Sequence, residues 1–238
     1  MKTNPCAYML TLALGLASVA CGSEDPPSTM VPGETLDYYP LVDGRQMVYY
    51  HSSNNGWDET LTVTQASDGS FLESDTANPD GIRSETMLTK DAAGRIIRHH
   101  KDQFLNEEPD ISVDYADGTY GGFLRYDPAW AAMEVGESVT VDYNRTETPA
   151  GGSPDPVRAR SHIYYRHEIE TITLAATGET FRDCLKIRRA RNYNDVLGEA
   201  EDQEKMFWFA PGIGKVQEQT LIGGSGSEQL IEYPEQGN

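Results

Sequence analysis

Residues 159–174 read ARSHIYYRHEIETITL, and the alternation within this stretch decides the fold class. Ile163, Tyr165 and His167 share one face of an extended chain here, while Tyr164 lies on the other. A period of two residues is typical of a β-strand, whereas a helix repeats about every 3.6 residues. We therefore expect one long strand over these residues.

The same period recurs along the chain, and turn signals such as Asp68-Gly69 and Asp117-Gly118 interrupt it roughly every 8–12 residues. Only Pro128–Met133 could form a short helix. The sequence thus predicts a single all-β domain over residues 38–234, built as a curved antiparallel sheet. The other predicted strands include Gln46–His51, Thr60–Ala66, Ser84–Thr89, Arg95–Lys101, Ser138–Tyr143, Thr180–Ala190, Lys205–Ala210, Lys215–Ile222 and Gln229–Tyr233.

Residues 1–20 are expected to be a signal peptide for export. Lys2 gives a positive start, residues 7–20 are mostly apolar, and small residues precede Cys21. The apolar segment is too short to cross a bilayer core of about 30 Å at about 1.5 Å per residue. The segment resembles the lipobox of bacterial lipoproteins, which implies that Cys21 carries a lipid anchor. Ordinary secretion with a free Cys21 is the alternative.

Residues 21–37 are polar and rich in proline, so they are predicted to tether the domain, and residues 235–238 to form a flexible tail. A lipid on Cys21 would place the domain in the cell envelope, on the periplasmic or outer-membrane side. The membrane is then a partner through the anchor.

The composition is strongly acidic, with 19 basic and 38 acidic residues and a formal net charge of −19. Proteins that bind nucleic acid need a basic surface, so no nucleic-acid partner is expected. An acidic surface also repels anionic headgroups, so membrane attachment should depend on the covalent anchor. One dense basic cluster is interpreted as a solvated strand face; it consists of Lys186, Arg188, Arg189 and Arg191.

The cysteines leave no internal disulfide. Cys6 would leave with the signal peptide and Cys21 would carry lipid, so Cys184 remains alone. On a regular strand its thiol would share a face with Arg182 and Lys186, which would lower its pKa and make it reactive. A packed, inert cysteine is the preferred interpretation, because a β-bulge would reverse its facing, and the reactive thiol is the alternative.

Three motifs are shared with a widespread group of exported β proteins and lipoproteins that this chain resembles. They are YPLxxGxxxxY at 39–49, TGETFxDCLKI at 177–187 and WFAPGIGxV at 208–216. The resemblance implies a half-open antiparallel β-barrel, similar to lipoprotein carriers, and an envelope location. It implies no activity.

No catalytic or metal-binding pattern stands out, so we expect no catalytic residue, metal or cofactor. The leading hypothesis is a non-enzymatic envelope lipoprotein that binds an apolar or amphipathic ligand, or a partner protein, in the concavity of the sheet. A structural or assembly component without a pocket is the alternative, and an enzyme is the third. The candidate lining residues, for which core packing is the alternative role, are Tyr49, Tyr143, Tyr165, His167, Phe207, Trp208 and Phe209.

Overall fold

The computed structural model describes residues 36–53, 56–192, 203–224 and 226–234. From Leu36 onwards the chain groups into one compact unit. The expected signal peptide, Cys21, most of the expected tether and the tail lie outside the described residues. The strands within them are β1 (Gln46–His51), β2 (Trp57–Gln65), β3 (Phe71–Asp75), β4 (Ile82–Lys90), β5 (Ile96–Leu105), β6 (Glu108–Ala116), β7 (Phe123–Tyr126), β8 (Ser138–Pro149), β9 (Arg158–Arg166), β10 (Glu170–Thr173), β11 (Thr180–Asn192), β12 (Gln203–Ala210), β13 (Gly214–Ile222) and β14 (Ser227–Glu232).

The sheet closes into a barrel. Twelve of the described strands follow one another in antiparallel pairs, with β6 next to β8 and β9 next to β11. The first strand pairs with the last, since Val48 lies opposite Glu232 and His51 opposite Glu228. β7 attaches to β5, and β10 attaches to β11. The predicted all-β, single-domain fold is confirmed, and the sheet closes completely instead of remaining half open.

The strand predicted over residues 159–174 is interrupted at residues 167–169. Its two parts, β9 and β10, lie along the same partner strand, β11. The interruption coincides with a register shift between β10 and β11. Asp183, on β11 at this level, adopts a φ of 55°, which L-residues rarely occupy. A bulge therefore breaks the alternation in the middle of this hairpin.

One turn of 3-10 helix, Pro128–Ala132, confirms the short helix expected at residues 128–133. Asp127 caps it by accepting a 2.9 Å hydrogen bond from the Ala129 N–H. The helix carries Trp130 into the barrel, where its ring stacks on Tyr164 with centroids 4.7 Å apart. Among the described residues, no helix has the length and apolar character needed to cross a bilayer.

The buried core combines aliphatic and aromatic side chains with several charged residues. On β9 the buried positions are Arg160, His162, Tyr164 and Arg166. Because side chains alternate across a strand, the residues between them face outwards. The face of β9 that carries arginine and histidine therefore points into the barrel.

Candidate functional site

The barrel encloses a cavity of about 420 Å³. Its wall is formed by inward-facing positions of nine strands, from β5 through β9 and from β11 through β14, together with Tyr39 and Trp130. At about 30 Å³ per water, the space would hold roughly 14 water molecules. This is a ligand-sized chamber and not a packing defect between side chains.

Two classes of side chain dominate the lining. Eight aromatic and eight basic residues face the cavity, together with two glutamates, one histidine, one glutamine and a single aliphatic residue, Ile187. The chain as a whole has a net charge of −19, so the cavity reverses the sign of the protein around it. The basic residues are Arg98, Lys101, Arg125, Arg145, Arg189, Arg191, Lys205 and Lys215. The aromatic residues are Tyr39, Tyr115, Phe123, Trp130, Tyr143, Tyr164, Phe207 and Phe209.

One side of the cavity carries compensated charge. Lys215 pairs with Glu228 and, at 3.4 Å, with Glu218, which also pairs with Lys205. Burial opposes ionisation of Glu218, but Lys215 and Lys205 outweigh it and lower the pKa of that carboxyl. Burial raises the pKa of Glu228 more than Lys215 lowers it. These four charges on β12, β13 and β14 form one network, and burying them without this pairing would be unfavourable.

A second compensated group lies beside it. Arg125 pairs with Glu73 at 3.5 Å and donates a 3.0 Å hydrogen bond to the Tyr39 hydroxyl. That hydroxyl donates in turn to Glu73, at 3.0 Å. Burial raises the pKa of Tyr39 to about 12, so the phenol stays neutral and can serve as this donor.

The remaining wall carries cations that face aromatic rings. Arg98 lies over Phe123, with its guanidinium carbon 5.1 Å from the ring centroid. Arg189 lies over the same ring at 5.5 Å and over Phe207 at 4.9 Å. Cation–π contacts of this kind compensate a buried charge only partly, compared with a carboxylate. Among the described residues, neither arginine forms an ion pair.

Lys101 is the third cation of this wall. It lies on β5 and is surrounded by Arg98 and Arg125, with Asp75 and Glu59 as the neighbouring acids. Burial, followed by the two arginines, lowers the pKa of its ammonium to about 8. No ion pair to Lys101 forms within the described part of the chain, so its charge is poorly compensated.

His162 is the most buried polar residue of the wall, with 1% of its surface exposed. Its ring contacts Phe123 edge-on at 5.1 Å and Tyr143 at 5.3 Å, and neither ring nitrogen has a hydrogen-bond partner. Burial, followed by Arg189 and Arg191, lowers the pKa of the imidazole well below its usual value. It is therefore a neutral ring that offers one donor and one acceptor to whatever fills the cavity.

One group of potential metal ligands occurs among the described residues. Donor atoms of His51, Glu59 and Glu228 lie within 4.8 Å of one another. His51 already contacts Glu59 at 3.1 Å, and Glu228 is held by the Lys215 ammonium. A divalent cation would have to share this space with a buried positive charge, which makes the group a poor cation site.

Four of the residues predicted to line a ligand site face the interior. Tyr143, Phe207 and Phe209 border the main cavity, and Tyr49 borders a smaller pocket of about 110 Å³ next to it. The Tyr49 hydroxyl donates a 2.9 Å hydrogen bond to the backbone carbonyl of Lys215. The interior placement of these four residues agrees with the expectation from sequence.

The other predicted lining residues face outwards, which corrects the expected facing. Tyr165 lies under the Arg188 guanidinium at 4.2 Å, on the outer face of the β9–β11 pair. The imidazole of His167 is surrounded by Lys186 and Arg188; burial, followed by these cations, lowers its pKa. Trp208 donates its indole N–H to Glu170 of β10 and has the Lys186 ammonium 5.2 Å from its ring.

Cys184 is fully buried. Burial, followed by Glu170 and Asp183, raises the pKa of its thiol to about 12. The alternative of a reactive thiol with a pKa lowered by Arg182 and Lys186 is therefore wrong, because the bulge at Asp183 changes which side chains surround the sulfur. The structure agrees with the preferred interpretation, a packed cysteine beside a bulge.

Sequence reasoning missed the basic wall. The cluster at residues 186–191 was expected to be a solvated face, but only Lys186 and Arg188 point outwards, while Arg189 and Arg191 line the cavity. A signal existed in the alternation itself, since Arg189 and Arg191 share a face with Ile187. For Arg98, a bulge at His99 sets the facing, and the sequence does not show it.

No protein-family model matches this sequence, and no curated protein sequence matches it. Among solved structures, it is similar to a protein of Bacteroides fragilis NCTC 9343 described as exported and as having a YmcC-like fold, with 14% identity and a TM-score of 0.47. It is also similar to a protein of Parabacteroides distasonis ATCC 8503 described as a lipoprotein, with 15% identity and a TM-score of 0.41. Each likeness covers 84% of this chain and 100% of the other. At these values the two proteins inform neither the ligand nor the location of this chain.

Proposed function

We propose that this protein is a non-enzymatic binding protein that holds a small amphipathic ligand inside its barrel. The observation that carries the proposal is the 420 Å³ cavity with its mixed aromatic and basic wall. Ligand pockets span roughly 300–1,000 Å³ and combine apolar surface with a few polar groups. The strictly apolar ligand weighed from sequence fits this wall poorly, because burying eight cations against hydrocarbon is unfavourable.

The character of the cavity wall argues that the space is filled in the working protein. Eight basic residues line it, and buried polar groups are normally hydrogen-bonded to protein, water or ligand. Water or a ligand therefore fills the space, and the basic wall can bind either.

The geometry gives little support to an enzyme. His162 has no carboxylate partner to orient its ring, among the described residues, and the Cys184 thiol is buried with a raised pKa. A general base or a nucleophile needs such a partner or an accessible, activated atom. A structural component without a pocket is the second candidate, and the cavity disfavours it.

The proposed location is the cell envelope, with a lipid on Cys21. The support is the sequence of residues 1–29: a positive start, a short apolar segment, small residues before Cys21 and a polar tether after it. Mass spectrometry of the mature protein should show an N-terminus at Cys21 with a diacylglyceryl mass addition. Cys21→Ser should abolish this mass; a mature terminus elsewhere would refute the anchor.

Ligand binding can be tested with two fluorescent probes and native mass spectrometry. We expect the folded protein to bind 8-anilinonaphthalene-1-sulfonate at one site, and any co-purified ligand to appear as extra mass that is lost on unfolding. Ile187→Trp places a large ring in the cavity and should reduce probe binding at least tenfold. Leu72→Trp, on an exposed outer position, is the matched control and should not change it.

Both variants must unfold cooperatively for the comparison to count. If neither that sulfonate nor neutral N-phenyl-1-naphthylamine binds to the folded protein, and no extra mass is found, the proposal fails. The structural alternative would then be favoured.

A further inference from the structure

Among the described residues, the acids that line the cavity do not balance its cations. Its two glutamates, Glu218 and Glu228, are both engaged by Lys205 and Lys215. Among the described residues, Arg98, Lys101 and Arg189 have no carboxylate partner, although all three line the cavity. Cations buried in this way normally pair with an anion.

The three cations belong to one group. Arg98 and Arg189 lie over the same ring, Phe123, at 5.1 and 5.5 Å. Arg98 in turn is close enough to Lys101 to lower the pKa of its ammonium. Three positive charges thus converge on one region of the wall. Nearby Asp75, Glu59 and Glu73 offset them only in part, and a bound negative charge would relieve the remaining repulsion.

Unsatisfied polar atoms mark the same region. The Arg98 Nε and both ring nitrogens of His162 are buried, and none of them has a hydrogen-bond partner in the part of the chain that the structure describes. His162 contacts Phe123, the ring that the two arginines share. Buried polar atoms are satisfied in the great majority of native structures, so a bound group is expected to supply these partners.

The rest of the wall indicates what accompanies the anionic group. Within the described ranges, eight aromatic rings but only one aliphatic side chain, Ile187, face the cavity. A flexible alkyl chain would find few partners of its own kind here, whereas a planar ring can stack on or against these rings. A planar molecule with an acidic group would contact both the aromatic and the basic residues of the wall.

We infer that the ligand of this barrel is a planar organic anion, whose carboxylate, sulfonate or phosphate is held by Arg98, Lys101 and Arg189 and whose ring packs against Phe123 and its aromatic neighbours. The inference rests on the proposed function and names the chemical class that the cavity selects. His162 contributes a directional hydrogen bond to the same molecule.

The test compares two probes that share one ring system. 8-Anilinonaphthalene-1-sulfonate carries an anionic group, and N-phenyl-1-naphthylamine is the same skeleton without it. Fluorescence titration of the folded protein near pH 7 should give at least a tenfold lower Kd for the sulfonate, or about 1.4 kcal/mol. Equal affinities would overturn the inference and leave the proposed function intact, and absence of binding by both would refute both.

Adjacent arginines on β11 supply a matched pair of variants. Arg189→Gln should weaken sulfonate binding at least tenfold and leave the neutral probe within twofold. Arg188→Gln changes the neighbouring guanidinium, which lies over Tyr165 on the outer face, and should change neither affinity. Equal effects of the two substitutions would contradict a binding role for the inward-facing arginine.

A second variant, Lys101→Met, keeps the test valid if Arg189→Gln does not fold. Lys101→Met keeps the length of the side chain and removes only its charge, so the folded barrel should be retained. It should weaken the sulfonate selectively, as Arg189→Gln does. If cooperative unfolding is preserved and sulfonate affinity is unchanged, the three-cation site is refuted.

Discussion

Replacing Lys215 with Met should lower the free energy of unfolding by about 3–5 kcal/mol, because it leaves a buried carboxylate without a cation. In the folded protein the Lys215 ammonium pairs with Glu228 and Glu218. Glu218 retains Lys205 after the substitution, but Glu228 has no other cation partner among the described residues. The cost therefore arises at Glu228.

The loss of stability can be measured by thermal unfolding and by urea unfolding. For a domain of this size, 1 kcal/mol corresponds to about 2–4 °C in Tm, so Lys215→Met should melt about 10 °C below the parent protein. Urea unfolding should show a lower midpoint with an unchanged slope. The surface variant Lys90→Met is the control: its pair with Asp37 is about two-fifths exposed, and its loss should cost less than about 1 kcal/mol.

The pH dependence identifies the group responsible. Burial already raises the pKa of Glu228, and removing Lys215 should raise it further above the unfolded value of about 4.3. The folded variant then binds a proton more tightly than the unfolded chain. The penalty is complete above the raised pKa and shrinks as the pH falls from there towards about 4.

A second substitution checks this assignment. Lys215→Met combined with Glu228→Gln removes both charges and should recover more than half of the lost stability at pH 7. A Lys215→Met protein within 1 kcal/mol of the parent at pH 7, or a double variant no better than the single one, would refute the reasoning.

Three other predictions concern separate parts of the barrel. Because the pKa of Lys101 is about 8, affinity for 8-anilinonaphthalene-1-sulfonate should fall as the pH rises from 7 to 9.5, and Lys101→Met should remove this dependence. Cys184 is buried with a raised pKa, so iodoacetamide should label it at neutral pH only after unfolding; labelling as fast as in denatured protein would contradict its packing. Gly118→Ala should cost at least about 2 kcal/mol because a Cβ there would collide with the Asp142 backbone, whereas Gly121→Ala, at the same φ of 71° in open space, should cost about 1 kcal/mol; denaturant unfolding would measure the difference.

The strands were predictable because they are local. Nearly every pair in the barrel joins neighbours along the chain, through turns whose residues favour tight reversal. Closure was not predictable in the same way, since it depends on β1 finding β14 at the far end of the chain. The alternating patterns of β1 and β14 would also fit strands at the open edges of a sheet. The sequence therefore does not decide between an open curved sheet and a closed barrel.

The predicted orientation of some candidate residues was wrong for a physical reason. Sequence reasoning assumes that the apolar row of a strand points inwards, so Tyr165 was assigned to the interior. A barrel with a charged cavity inverts this rule on β9, where His162 and Tyr164 point inwards. Bulges compound the error, because one extra residue reverses every later side chain, as near Asp183. The facing of Tyr143 and Phe209 was predicted correctly, because the alternation of their strands is regular at these positions.

Two kinds of buried cation are thus present, and the sign of a stability change separates them. Lys215 is compensated by carboxylates, so its removal should destabilise the folded protein. Burial and repulsion by Arg98 lower the pKa of Lys101 from about 10.5 to about 8, which means that folding disfavours its charge by about 3 kcal/mol. Lys101→Met should therefore raise the Tm of the unliganded protein while weakening its hold on an anion. A buried charge that lowers stability but strengthens anion binding is expected where ligand binding is under selection. A charge kept only for folding would instead raise stability, so its removal would lower the Tm.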